Sequence, residues 1–506
     1  MTQFLFRSIV ILGCVLPVAA QQARVMAPHR PIPPKIAHPG KVHGEMSARS
    51  MMGGLWMVDP NTKSTLYLKN NVETSSIAVT PVLHLSNGTQ YQLPDVNLEA
   101  AGTALVSISD GLQSQGVASW APLSGYVELR YNWPWDALCA TIRNIDTVHS
   151  TIFMYSVPSI PPVDTTHPPG KASVQTLEGL WWKQEPNVSG FVSLLNTSSQ
   201  AITVNLQLLD SSNNVFATHA SAVSPHGMKT VNLDELLTTT SLSGGIQMTF
   251  TGQKSDLQIY GGLQDRNVGY SAKLPFVAVP DATAQQNSLT ITELGLMAGA
   301  ADPMMSFPVG TTFTPYSVLR NTSDAPISVT PALWWMQGGA PHSASSPSLT
   351  LLPHQSRSLD VMSLISSSGL KNLNGAVNLM LDVQGKTSGL IAVAGSVDQT
   401  NTYVFEVIPK AVLESASKSL SYWSTGNGDD TMVTLWNPAD EAQDFSFKLI
   451  YTGGHYAYPI HLAPRESRTF NISEIIHSQI PDAEGNTVPV SVQDGSAPLS
   501  GSIHFR

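Results

Sequence analysis

Three aspartates, Asp146, Asp265 and Asp398, recur at one place in the internal repeats of this 506-residue chain. Carboxylates repeated in this way are candidates for calcium binding or for acid/base work. They stand in separate repeats, however, so no two can share one bond-cleaving site unless the repeats touch closely. An aspartate that bonds its own turn backbone accounts better for the position. Asn427-Gly428-Asp429-Asp430 offers oxygen ligands, but it lacks the alternating spacing of a dedicated calcium loop and reads as a solvated hairpin. Gly385-Lys386-Thr387 has the ending of a phosphate loop. Met380 occupies the place of the required first glycine, and the segment is expected to join two strands of a hairpin. The sequence contains no Gly-x-Ser-x-Gly, His-Glu-x-x-His, Cys-x-x-Cys or dinucleotide fingerprint. The expectation is a protein that is not an enzyme, with no catalytic residue, cofactor or metal.

Tryptophan is the residue class best suited to binding. Trp56, Trp181 and Trp423 stand at equivalent points near the start of their repeats, after Leu55, Leu180 and Tyr422, with Met297 in the third. Exposed indoles at equal intervals would suit a long polysaccharide, because sugar C–H faces stack on aromatic rings. Large aromatics at a repeated position equally suit a core. Trp133-Pro134-Trp135 occurs only in the first repeat and reads as an exposed patch or as packing between repeats. Candidate ligand contacts are therefore Trp56, Trp133, Trp135, Trp181 and Trp423.

These residues belong to a fourfold repeat. Leu68-Lys69-Asn70 returns as Leu194-Leu195-Asn196, Leu319-Arg320-Asn321 and Leu435-Trp436-Asn437, at steps of 126, 125 and 116 residues. Each step is the length of one β-sandwich. Apolar residues alternate with polar ones in Ile202–Leu208, Ile77–Leu85, Ile327–Trp335 and Phe445–Tyr451, the period of half-buried strands. Val79-Thr80-Pro81 and Val329-Thr330-Pro331 place proline in this strand, which predicts a sheet edge or a bulge. Pro225, Pro353 and Pro464 each precede an aliphatic residue by eight positions (Leu233, Val361, Ile472), and Ala100 replaces the proline in the first repeat. The segments Asp234-Glu235-Leu236-Leu237 and Ser473-Glu474-Ile475-Ile476 predict a capped helical turn. A closing hairpin spans 257–276 and 390–405; matching it to 499–505 leaves the fourth repeat without its last strand. Its open edge is expected to serve docking or self-association.

Before the repeats, residues 1–20 combine Arg7, an apolar run and Val18-Ala19-Ala20, and read as a signal peptide. Ile11-Leu12-Gly13-Cys14 partly resembles a lipobox, but Leu12 is bulky for it and the apolar run continues to a conventional cleavage site. Residues 21–50 form a Pro-rich basic linker of net charge +4. The repeats then run 51–158, 174–282, 283–410 and 411–506, with a second Pro-rich linker at 159–173. No later stretch has the length of an apolar spanning helix, so the chain is not expected to span a membrane. Cys139 is the only thiol after the leader, which excludes an intrachain disulfide there. A net charge of −10 with no basic stripe argues against nucleic acid. Of five glycosylation sequons, at Asn87, Asn187, Asn196, Asn321 and Asn471, two fall on the repeated turn asparagine and carry no weight.

The run from Leu462 to Ile472, Leu-Ala-Pro-Arg-Glu-Ser-Arg-Thr-Phe-Asn-Ile, follows a Leu-x-Asn strand end. It resembles the immunoglobulin-like sandwich modules of bacterial exported and surface proteins. The resemblance implies a fold and a compartment, and it brings no catalytic residues. The expected fold is all-β, a tandem array of four immunoglobulin-like β-sandwich domains after a signal peptide and Pro-rich tether. The expected function is that of a non-catalytic exported surface or envelope protein acting by binding or spacing, whose partners are other envelope proteins or polysaccharide. Two rival readings are a carbohydrate-binding or carbohydrate-active secreted protein and an assembly subunit that accepts a strand in its fourth repeat.

Overall fold

A computed structural model describes residues 8–15, 49–158 (apart from 73, 118–121, 135–136 and 150) and 173–300 (apart from 184–186, 268 and 281–282), then 310–411 (apart from 371–374, 399–402 and 408), 421–489 (apart from 426–428 and 452–453) and 500–505. The cleavage site, most of the basic linker, the linker at 159–172, Trp135 and Asn427-Gly428 lie outside the described residues.

The chain is predominantly β, and its sheets face one another in pairs around apolar cores. The alternation read from sequence is the cause. In Ile202–Leu209, Ile202, Val204, Leu206 and Leu208 are buried while Thr203 and Asn205 are exposed. In the second repeat one sheet orders Val215–Val223, Ile202–Leu209, Ser243–Gly252, Ser173–Trp182 and Phe276–Ala278; the other orders Met228–Asn232, Ser189–Asn196, Leu257–Asp265 and Tyr270–Lys273. The first repeat follows the same plan. In the third, the long strand Asn287–Ala300 pairs with Gly375–Gly385 and, through Gly299 and Ala300, with Thr312–Asn321, which joins the two sheets into one.

Two landmarks of the repeat, the asparagine and the later proline, form one structural unit. Asn321 Nδ2 donates to the carbonyls of Ala325 (2.8 Å), Leu351 (3.2 Å) and Leu352 (3.1 Å), while its Oδ1 accepts from the Ser323 amide (2.9 Å). Asn196 binds Gln200, Val223 and Ser224 in the same way, and Asn437 binds Glu441, Leu462 and Ala463. Asn70 binds Ser75, Leu98 and Glu99. In each case the last two carbonyls belong to the residues just before Pro353, Pro225, Pro464 or Ala100. The residue after that position (His354, His226, Arg465, Ala101) has a left-handed backbone in all four repeats. The asparagines are fully buried, so the sequons at Asn196 and Asn321 present no free amide.

Several expectations are corrected in detail. The strands bearing Pro81 and Pro331 are not edges. Their outer neighbour is broken into two pieces, Gln90–Gln92 with Val96–Leu98 and Ala340–Ser345 with Leu349–Leu351, so the missing N–H of proline falls at the break. Gly385-Lys386-Thr387 does not close a hairpin, because Gly375–Gly385 and Leu390–Asp398 pair with different neighbours and the segment crosses between sheet faces. Of the two expected helical turns, Asp234-Glu235-Leu236-Leu237 forms a turn and no helix, while Ser473-Glu474-Ile475-Ile476 lies in the helix Ile472–His477, whose cap is Asn471, two residues before the serine that the sequence suggested; Val361–Ser367 is helical at the corresponding place of the third repeat. The hairpins at Asp265 and Asp398 form. Ser500–Phe505, however, pairs with Gln443–Tyr451 and Ser421–Ser424, which makes it the counterpart of Ser243–Gly252 and places it before the closing hairpin in the repeat.

Candidate functional site

Trp56, Trp181 and Trp423 are fully buried, each in the core of its own repeat. The indole N–H of Trp56 donates to the Tyr126 carbonyl, and that of Trp181 to the carbonyls of Leu209 and Gly245. A buried ring offers no face to a sugar, so these three are not ligand contacts. Trp133 is half-buried against the first core. The aspartates are structural too. Asp146 Oδ1 accepts from the amides of Val148 and His149, Asp265 from Asn267, and Asp398 from Thr312 across the sandwich end. Lys386 of the phosphate-loop look-alike pairs with Asp324 at 2.6 Å.

Two polar clusters escaped the sequence reading. On the first repeat, His84 Nε2 lies 3.1 Å from Glu128, Arg130 binds the same carboxylate at 2.9 Å, and the His84 ring stacks on Tyr126 at 4.5 Å. The hydrogen bond from His84, aided by Arg130, outweighs burial and holds Glu128 down to about 2. The second cluster lies between repeats, with Arg320 and Glu178 fully buried and His354 and Gln247 partly exposed. Arg320 donates to Glu178 Oε2 through Nη2 (2.7 Å) and Nε (3.1 Å); His354 Nδ1 and Gln247 Nε2 lie 2.9 Å and 3.1 Å from Oε1.

That second cluster belongs to a pattern repeated at three junctions. The middle residue of Leu-x-Asn, namely Leu195, Arg320 or Trp436, faces the preceding repeat. Leu195 shares an apolar cluster with Leu55, Tyr126, Phe153 and Tyr155; Arg320 meets Glu178; Trp436 packs on Leu294 with Trp334 5.8 Å away. The left-handed turn residue docks beside it. The His226 carbonyl accepts from Tyr126 Oη (2.8 Å), His354 meets Glu178, and the Arg465 guanidinium lies 5.5 Å over the Trp334 ring. Close approach requires glycine on the opposing strands. A Cβ on Gly245 would strike the Arg320 guanidinium, and one on Gly53, at φ +137°, would strike Gln258 and Tyr260. The signal in the sequence was the variable residue between an invariant leucine and asparagine.

Inside the third core, Glu293 is fully buried, with Ser317 Oγ donating to its Oε1 at 3.0 Å. Burial raises its carboxyl from 4.5 to about 8. The folded chain therefore holds this proton more tightly than the unfolded one. Stability from this site is full below pH 4.5, falls as pH rises to about 8, and is level above that. Glu293→Gln is expected to be roughly as stable as the native chain at about pH 4 and more stable by about 5 kcal/mol at about pH 9. Denaturant midpoints of the two chains at both pH values check this, and parallel pH profiles would show a carboxyl of ordinary acidity.

Among the described residues no three His, Cys, Asp or Glu side chains group as a metal site, and no helix is long and apolar enough to cross a membrane. No protein-family model matches the sequence, and no curated protein shows significant similarity to it.

Proposed function

We propose that this chain is an exported, non-catalytic surface or envelope protein that acts as a structural spacer presenting binding surfaces, built of four immunoglobulin-like modules. The observation that carries the proposal is the junction. The same two positions of each following repeat dock on the preceding one at all three joins, and the first of them, Leu195, Arg320 or Trp436, is buried there. Buried joins of this kind resist the hinging expected of small polar interfaces between domains. The carboxylates of Asp146, Asp265 and Glu178 are engaged in turns and junctions. The carbohydrate reading loses three of its five tryptophans to the cores.

Expression in a bacterium, with fractionation and mass spectrometry of the N-terminus, tests export. The expected product starts at Gln21 and lies outside the cytoplasm; an unprocessed cytoplasmic product overturns the reading. Small-angle scattering of the same material tests spacing, with one extended and narrow distance distribution expected and a broad ensemble counting against it.

A further inference from the structure

We propose that the edge of Asp429–Trp436 in the fourth repeat is a strand-docking site for an apolar segment running parallel to it, and that its occupant is Ser8–Val15 of the same chain. The proposal goes beyond the function proposed above and concerns the chain before processing, since cleavage ahead of Gln21 removes the occupant and leaves the edge open. In the first three repeats the equivalent strands, Thr62–Asn70, Ser189–Asn196 and Thr312–Asn321, pair antiparallel on this side with Leu138–Asp146, Leu257–Asp265 and Leu390–Asp398. In the fourth repeat Ser8–Val15 lies there instead, parallel, in unbroken register from Ser8 opposite Asp429 to Val15 opposite Trp436. Parallel neighbours need a long connection, and a segment from the opposite end of the chain satisfies that requirement where a hairpin partner cannot.

The receiving strand makes an uncovered edge costly. Met432, Val433, Leu435 and Trp436 are buried, and the other edge of the strand is already taken by Ser467–Asn471. An apolar strand with one row of free backbone groups is a template for another strand. The occupant suits it. Ser-Ile-Val-Ile-Leu-Gly-Cys-Val is rich in β-branched residues and free of charge and proline. Its backbone also lies against Asn287–Ala300 and Tyr403–Val407 of the third repeat, so the site has a second wall. One segment thus serves as the proposed leader and as a strand of the last repeat, and a chain that loses it presents the edge.

The test uses the full chain with residues 1–20 retained, made by cell-free synthesis without an export machinery to remove them. In Leu435→Cys, with Cys139→Ser to remove the competing thiol, residue 14 pairs in register with residue 435, and the spacing of about 5 Å between adjacent strands is one that a disulfide spans. Mild oxidation is expected to give a Cys14-linked peptide in monomeric protein; no link, or a link found only in dimers, overturns the proposal. Because Leu435 is a core residue, a second variant leaves the fourth repeat untouched. Ile11→Pro should break the donor strand and speed hydrogen exchange of amides in 429–436 about ten-fold, with Thr62–Asn70 unchanged. Unchanged exchange in 429–436 overturns the site. Sedimentation of the same variant reports on assembly separately, since faster exchange in a chain that stays monomeric keeps the docking site and removes its role in self-association.

Discussion

Asn321→Ala is expected to destabilise the third repeat by about 3 kcal/mol or more, the cost of leaving several buried backbone groups without partners. The alanine removes a donor shared by the carbonyls of Ala325, Leu351 and Leu352 and the acceptor of the Ser323 amide, in a place closed to water. It also cuts the tie between the end of one strand and the turn at Pro353, whose left-handed residue His354 docks on Glu178. Damage should therefore spread from the third repeat into its junction with the second. Calorimetry is expected to show a separate early transition, and hydrogen exchange should place it in 312–398, because a chain of several cores need not unfold as one unit. Asn321→Asp should be worse, since a carboxylate would face three carbonyl oxygens. A variant that melts with the native chain would make the repeated asparagine a tolerated relic.

That asparagine shows how much could be read beforehand. Its recurrence and that of Pro225, Pro353 and Pro464 are visible as separate periodicities, and so is the strand alternation, because side-chain direction follows position along a strand. The bond between the two landmarks is invisible, since its acceptors are backbone carbonyls that carry no residue identity. The tryptophans were legible as a repeated place, but period alone does not say which side of a sheet is wet; Trp56, Trp181 and Trp423 turned inward. The junctions were hidden by their diversity. Leucine, arginine and tryptophan at one position look like an unconstrained site until Leu55, Glu178 and Leu294 are found opposite them. The parallel strand Ser8–Val15 lay beyond any reading of local pattern, because its partner lies at the opposite end of the chain.

Arg320→Ala is expected to cost about 3–5 kcal/mol, the penalty for stranding a buried charge, and to loosen the second repeat from the third. Both side chains of the pair are wholly inaccessible, and Gly245 leaves the guanidinium its space. Replacing both members by apolar residues, as in Glu178→Leu with Arg320→Met, should cost much less than either single change, because no uncompensated charge remains. The ion pair would then owe its place to directing which faces meet. At the first and third junctions the same position packs through apolar contacts, Leu195 by Leu55 and Trp436 by Leu294. Acid should act on the native junction as the single mutation does. Burial alone would raise the Glu178 carboxyl, but the bond from His354 and the charge of Arg320 outweigh it and hold it below the ordinary value of 4.5. The stabilisation is thus complete above pH 4.5 and is lost as pH falls through the lower folded value. Scattering at about pH 7 and about pH 3 would check this, with the native chain expected to broaden its distance distribution in acid and the apolar double variant to lack the part of that broadening due to this junction. If Arg320→Ala is as stiff and stable as the native chain at neutral pH, the pair does not hold the repeats together, and the apolar contact of Trp182 with Tyr316 beside it must suffice.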